Sequence, residues 1–349
     1  CIVFDGDATG NVTTEGPKFY KRDGWYWILC PAGGVAGGWQ LAMRSKSPYG
    51  PYEWKRVLER GKTTMNGPHQ GGWIHTKYGE DWFIHFQDKG PYGRVCHLQP
   101  VDWSSGWPVM GNAGEPYWKF RKPKSDSKTI VNPVETDEFD SSKLGMQWQW
   151  QNDYKESYGQ ATSMGFFRLF TYALPELGDV SNLWYVPNML LQKTPADEFT
   201  ATTKLSFCSR NSDQYVGLVC MSAEYSSVGL QRTEDGYELQ IRHNPNAMRT
   251  HLTDEVLTVD TLKPTQKGTP RKGRPAEMHI KDVYLRMSIK DSKVNYAYSI
   301  DGKKWKKAGG EYAMGKGRWI GSKIGFFAVD PNKTGRKGFI DIDWFRISR

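Results

Sequence analysis

Apolar and polar positions alternate with a period of two along most of the chain, and Gly, Pro, Asn and Asp interrupt them at short intervals. Alternation of this kind sends successive side chains to opposite faces of a strand and predicts an all-β protein. In the first third it predicts strands at 18–21, 25–30, 39–44 and 52–58, and the scheme returns at 72–76, 82–87, 94–100 and 108–110. The run Ser45-Lys46-Ser47-Pro48-Tyr49-Gly50-Pro51 supplies the turn between the third and fourth strands. A Gly-Pro pair precedes each group, Gly16-Pro17 and then Gly67-Pro68, and Trp25 and Trp82 hold similar places within the groups. A repeat of about fifty residues built from short strands points to propeller blades.

The pattern then changes. Residues 116–134 are polar and Pro-containing and read as a linker between a first domain at 1–115 and a second at 135–349. The second domain opens with Trp148 and Trp150. It predicts strands at 198–205, 214–221, 228–232, 237–242, 283–290, 294–299, 323–329 and 338–347, the alternating strands of a two-sheet sandwich. Asp301-Gly302 marks a hairpin turn in it.

Composition narrows the function. The 349 residues suit two domains, and no apolar run is long enough to span a bilayer, which predicts no membrane span. Aromatic residues make up 14% of the chain. Their faces suit sugar rings, although most aromatics of an all-β protein fill its core. The net charge of +9 is spread among acidic residues, apart from basic loops at 119–128 and 267–274. No nucleic-acid motif accompanies them, so they read as solvated loops and no nucleic-acid partner is expected. Five cysteines, Cys1, Cys30, Cys96, Cys208 and Cys220, form no CxxC pair. The last four lie in apolar, strand-like runs and read as buried thiols. Cys1 could be a processed lipoprotein cysteine, but Ile2-Val3-Phe4 reads as strand, which favours a cut edge.

Several separate motifs, in order, carry a resemblance. They are Glu15-Gly16-Pro17-Lys18-Phe19-Tyr20-Lys21-Arg22, Ala32-Gly33-Gly34-Val35, Arg44-Ser45-Lys46-Ser47-Pro48-Tyr49-Gly50-Pro51, Asn66-Gly67-Pro68-His69-Gln70-Gly71 and Tyr92-Gly93-Arg94-Val95-Cys96-His97. In the second domain Tyr284-Leu285-Arg286, Tyr298-Ser299-Ile300-Asp301-Gly302 and Lys323-Ile324-Gly325-Phe326-Phe327-Ala328 add to it. Together they resemble glycoside hydrolase family 43, in particular its bacterial β-xylosidases and α-L-arabinofuranosidases. The resemblance implies a five-bladed β-propeller, with only its C-terminal part in this chain, followed by a concanavalin-like β-sandwich. It implies an exo-acting, inverting glycosidase that releases terminal α-L-arabinofuranose or β-D-xylose from plant cell-wall polysaccharide or oligosaccharide. It also implies a secreted or periplasmic setting in a bacterium, no required cofactor, and room for a structural Ca²⁺.

The family uses three carboxylates, and Glu15 matches the general acid. The base and the aspartate that tunes the acid belong to earlier blades. Asp5 and Asp7 do not match either motif, so the remaining propeller segment is expected outside this chain, as a partner or a lost part. Glu15 could act near neutral pH only with a raised pKa, as burial or a second carboxylate would provide. By the same resemblance, Arg94 reaches the sugar subsite. His69 either orients the base aspartate or holds a central calcium through water. Gly34 and Val35 lie at the pocket where related xylosidases often carry threonine. Trp39 and Trp73 could wall the pocket, with core packing the equal alternative, while His85 and His97 read as structural. A rival reading is a catalytically incomplete fragment or a non-catalytic carbohydrate-binding protein.

Overall fold

A computed structural model describes residues 2–173, 182–249, 252–317, 319–332 and 335–349. Cys1, read above as a lipoprotein cysteine or a cut edge, lies outside the described residues. The chain forms two compact units. The first comprises Cys1–Lys89 and Arg94–Ile130, the second Val131–Arg349 together with the short segment Gly90–Gly93.

The first unit holds two four-stranded antiparallel meanders. One runs in order through β1 (Lys18–Arg22), β2 (Trp25–Ala32), β3 (Trp39–Ser45) and β4 (Glu53–Glu59). The other runs through β5 (His69–His75), β6 (Asp81–Asp88), β7 (Arg94–Asp102) and β8 (Val109–Met110). Each is one propeller blade. Their inner faces share an apolar core: Trp27, Leu29, Ala42, Val57 and Leu58 of the first blade meet Phe83 and Met110 of the second. Two arginines lie between indole rings on this unit. The Arg22 guanidinium lies 5.3 Å from the Trp73 ring and 4.5 Å from that of Trp103, and it pairs with Asp81 at 3.1 Å. The Arg44 guanidinium lies 4.6 Å from Trp25 and 4.3 Å from Trp107 and pairs with Glu53 at 2.7 Å. Cation–π contacts of this sort favour a planar, weakly hydrated guanidinium.

Two expectations fail here. Ile2–Phe4 forms no strand. Cys96 is exposed, whereas Cys30, Cys208 and Cys220 are buried free thiols. The reason is strand order. β7 pairs with β6 along its length, but β8 reaches it only at Val101 and Asp102, so the half that carries Cys96 is a blade edge.

The second unit is a sandwich of two eight-stranded sheets. Its strands are β9 (Gln149–Trp150), β10 (Gly159–Ala161), β11 (Phe167–Phe170), β12 (Tyr172–Ala173), β13 (Leu190–Lys193), β14 (Phe199–Ser209), β15 (Tyr215–Met221) and β16 (Tyr225–Arg232). They continue with β17 (Tyr237–Asn244), β18 (Glu255–Leu262), β19 (Gln266–Lys267), β20 (Met278–Lys290), β21 (Lys293–Ser299), β22 (Lys306–Ala313), β23 (Lys323–Asp330) and β24 (Phe339–Ser348). One sheet has the order β10-β11-β24-β14-β20-β21-β22, with β19 on β20. The other has the order β18-β17-β16-β15-β23-β13-β9, with β12 on β23. Phe207, Leu205, Leu285 and Phe345 of the first sheet meet Leu218, Val228, Leu239 and Phe326 of the second in one dry core. The hairpin at Asp301-Gly302 forms as its sequence predicts. The Asp301 carboxylate accepts the backbone N–H groups of Lys303 and Lys304, which hold its pKa at about 2.

Candidate active site

Glu15 sits in the loop ahead of β1, and its backbone N–H donates to the Pro31 carbonyl of β2 at 3.1 Å. Gly16 follows with φ +52°, a conformation that costs an L side chain, and a Cβ there would collide with the Gln70 amide. Glycine therefore lets the two blades approach at this point. On the second blade the approach is made by a bulge. The β5–β6 register shifts between His69 and Gly72, and Gln70 takes φ +51°. A Cβ at Gly71 would overlap the Phe83 ring, so the bulge can lie flat on the core only with glycine there.

The bulge brings two donors to one carboxylate oxygen. His69 Nε2 lies 2.7 Å from Glu15 Oε1, and Gln70 Nε2 donates to the same oxygen at 3.0 Å. An ionised carboxylate only accepts, so His69 Nε2 donates in this contact. His69 Nδ1 is buried and has no partner. The His69 ring rests edge-on against Phe86 at 5.8 Å, and the Arg94 guanidinium lies 4.6 Å from the same Phe86 ring. The site thus has one continuous order: Glu15, His69, Phe86, Arg94.

The electrostatics run against the expectation of a raised acid. The His69 hydrogen bond, then that of Gln70, holds the Glu15 carboxyl below its ordinary value of 4.5. Partial burial pushes the other way, and the charges of His69 and Arg94 add to the lowering. The groups acting on Glu15 include no carboxylate, and half of its side chain is open to solvent. Both causes named for a raised pKa, deep burial and a like charge, are therefore lacking among the described residues.

The other predicted residues separate into two groups. Gly34 and Val35 lie in the β2–β3 turn, where the Gly34 carbonyl accepts from Gly38 N–H at 2.9 Å and the Val35 carbonyl lies against Gly67, two residues before His69. The turn is thereby fixed beside the start of β5. Trp39 is engaged structurally. Its Nε1 donates to Asn11 Oδ1 at 2.9 Å, and the Arg56 guanidinium covers its ring at 3.7 Å. Trp73 is likewise engaged, donating to Asp81 at 2.8 Å. His85 is buried with His97 stacked on it at 5.5 Å, and His97 contacts Gln87 at 3.1 Å. Gln70 is the site residue that sequence reasoning did not assign. Its signal was its place beside His69 in the Gly-Pro-His-Gln-Gly run.

Calcium takes about six to eight oxygen ligands. In the segment that leads into β5, His69 Nδ1 and Asn66 Oδ1 are buried without a partner, and among the described residues no converging group of His, Cys, Asp or Glu side chains includes His69.

Two tandem four-stranded blades with a clasped Glu-Gly-Pro glutamate, followed by a two-sheet sandwich, define the class. The profile of glycosyl hydrolases family 43 matches residues 2–108, and that of the β-xylosidase C-terminal concanavalin A-like domain matches residues 136–348. The chain belongs to glycoside hydrolase family 43. A putative β-xylosidase of Xylanibacter ruminicola is 34% identical over 89% of this chain and 54% of its own length. A β-xylosidase of Formosa agariphila is 29% identical over 95% of this chain and 59% of its own. The family 43 protein BlXynB of Bacillus licheniformis superposes with a TM-score of 0.79 and 25% identity, covering 96% of this chain and 65% of that one. The chain thus spans a little over half the length of these curated relatives.

Proposed function

We infer that this chain is the acid-bearing part of an exo-acting, inverting glycosidase that releases terminal α-L-arabinofuranose or β-D-xylose from plant cell-wall glycans, in a secreted or periplasmic setting. The observation that carries the reading is the clasp of Glu15 by His69 and Gln70 across two blades. It anchors one carboxylate oxygen and leaves the other free to face a glycosidic oxygen, as a positioned proton donor requires. Inversion needs a second carboxylate about 6.5–9.5 Å away to activate water on the opposite face of the sugar. That group would also raise the pKa of Glu15 by like-charge repulsion and offset the lowering by His69. Arg94 would hold sugar hydroxyls with its fork, and Gly34 and Val35 would line the pocket floor.

The lowered pKa and half-open side chain of Glu15 favour a second reading for the chain taken alone, a glycan-binding or catalytically incomplete part. Hydrolysis of aryl α-L-arabinofuranoside and aryl β-D-xyloside, measured beside a Glu15→Gln control, separates the two. Hydrolysis abolished by the substitution supports the acid and names the sugar. Binding of xylo- or arabino-oligosaccharide without hydrolysis supports the second reading. Activity unchanged in Glu15→Gln overturns the first.

A further inference from the structure

On the sandwich, Cys208 of β14 stands opposite His279 of β20 in the strand register, and Glu277 immediately precedes β20. Residues two apart on an extended chain share a face, so Glu277 and His279 point the same way. The neighbours Phe207, Met278 and Ile280 point into the core, so the trio occupies the opposite, outward face of the sheet. His279 Nε2 lies 2.9 Å from Glu277 Oε1 and 3.6 Å from Cys208 Sγ. A single nitrogen thus meets two other ligand-type atoms. Among the described residues this is the group of three His, Cys, Asp or Glu side chains whose donor atoms converge.

We propose that Cys208, His279 and Glu277 bind a divalent metal ion of the zinc class, with water in the fourth position. The spacing suits it. Bonds of about 2.3 Å to sulfur and about 2.0–2.1 Å to nitrogen at a tetrahedral angle place S and N roughly 3.6 Å apart. That is the Cys208–His279 separation, whereas Glu277 would swing out by a few tenths of an ångström. The outer partner of Glu277 is already in place: Arg210 Nε pairs with its other oxygen, Oε2, at 2.8 Å. Second contacts of this kind orient a ligating carboxylate. Glu277 and His279 are partly open to solvent, which gives the ion an entry and room for its water, while Cys208 is buried and shielded from oxidation. Binding exchanges the Cys208 thiol proton for the metal and releases that proton to water, since the thiolate is the ligand. The bound ion would fasten the segment ahead of β20 to β14.

Equilibrium dialysis of the full chain against zinc chloride tests the site, with cobalt(II) as a spectroscopic stand-in. The expected result is one tightly held ion per chain, together with a thiolate-to-cobalt charge-transfer band. Cys208→Ser abolishes the band, and Cys208→Ser and His279→Gln each weaken zinc binding by at least about 10-fold. Cys96→Ser, at the exposed thiol of the first unit, retains both. Circular dichroism confirms that the variants are folded. Absence of a stoichiometric ion, or a band that survives Cys208→Ser, overturns the proposal. So does a band that disappears with Cys96→Ser.

Discussion

His69 Nε2 stands 2.7 Å from Glu15 Oε1, joining the side chain proposed as the general acid to a histidine buried on the neighbouring blade. The imidazole is fixed by Phe86 and by burial, and the carboxylate is fixed by the imidazole.

Replacing His69 with Leu removes the largest cause of the lowered Glu15 pKa. The carboxyl then titrates closer to its ordinary 4.5, and the fold loses about 1–2 kcal/mol with the hydrogen bond. The sign follows from linkage. A carboxyl with a depressed folded pKa stabilises the fold above its unfolded pKa, and that contribution disappears as the pH falls through the folded value. Carbon-detected NMR titration of Glu15 in both proteins reads the shift, and an unchanged titration contradicts the clasp.

Gly16→Ala forces an L residue into φ +52° and drives the Gln70 amide away from Glu15. The backbone cost is about 1–2 kcal/mol. The loss of the Gln70 hydrogen bond raises the Glu15 pKa as well. Urea denaturation and the same titration report the two effects separately.

Burial lowers the pKa of His85 from 6.5 to about 4. Its side chain is neutral in the fold and protonated in the unfolded chain between those values. Stability therefore falls as the pH drops from 6.5 towards 4, by on the order of 2–3 kcal/mol in total. His85→Phe flattens this window in urea midpoints collected from pH 7 to pH 4. An equal slope in both proteins counts against the assignment.

Phe326→Ala opens a void where Phe326 meets Phe345 at 5.6 Å and Trp148 at 5.9 Å. The expected loss is about 3–5 kcal/mol in the sandwich. Chemical denaturation followed by near-ultraviolet circular dichroism measures it.

Most strands were legible because burial on one face writes a two-residue rhythm into the sequence, as in β14, where Phe199, Ala201, Thr203 and Leu205 are buried and the residues between them are half-open. Two of the strands that the rhythm did not predict share a cause. β18 and β22 are sheet edges, and residues such as Glu255, Val256, Lys306 and Lys307 are exposed regardless of face. In these two strands the rhythm is absent because one partner strand is absent. The motifs singled out Glu15, His69 and Arg94, and the fold brings the three together around the Phe86 ring. The bulge at His69–Gly72 was not legible, because it depends on Phe83 lying beneath Gly71, a contact between separate strands. Trp39 read equally as a pocket wall or as core packing, and the structure shows Asn11 and Arg56 holding its indole. A side chain's type reveals what it could do, and its neighbours decide what it does.

The clasp has one more consequence, which follows from its parts lying on different blades. Glu15 belongs to the strand group of β1–β4, while His69, Gln70 and Arg94 all belong to β5–β7. The proton affinity of the acid is therefore a gauge of how the two sheets are docked. A substitution deep in their shared core, at Phe83 or Leu58, that slides one sheet by a fraction of an ångström would be read out at the carboxylate as a change in acidity, without touching the site.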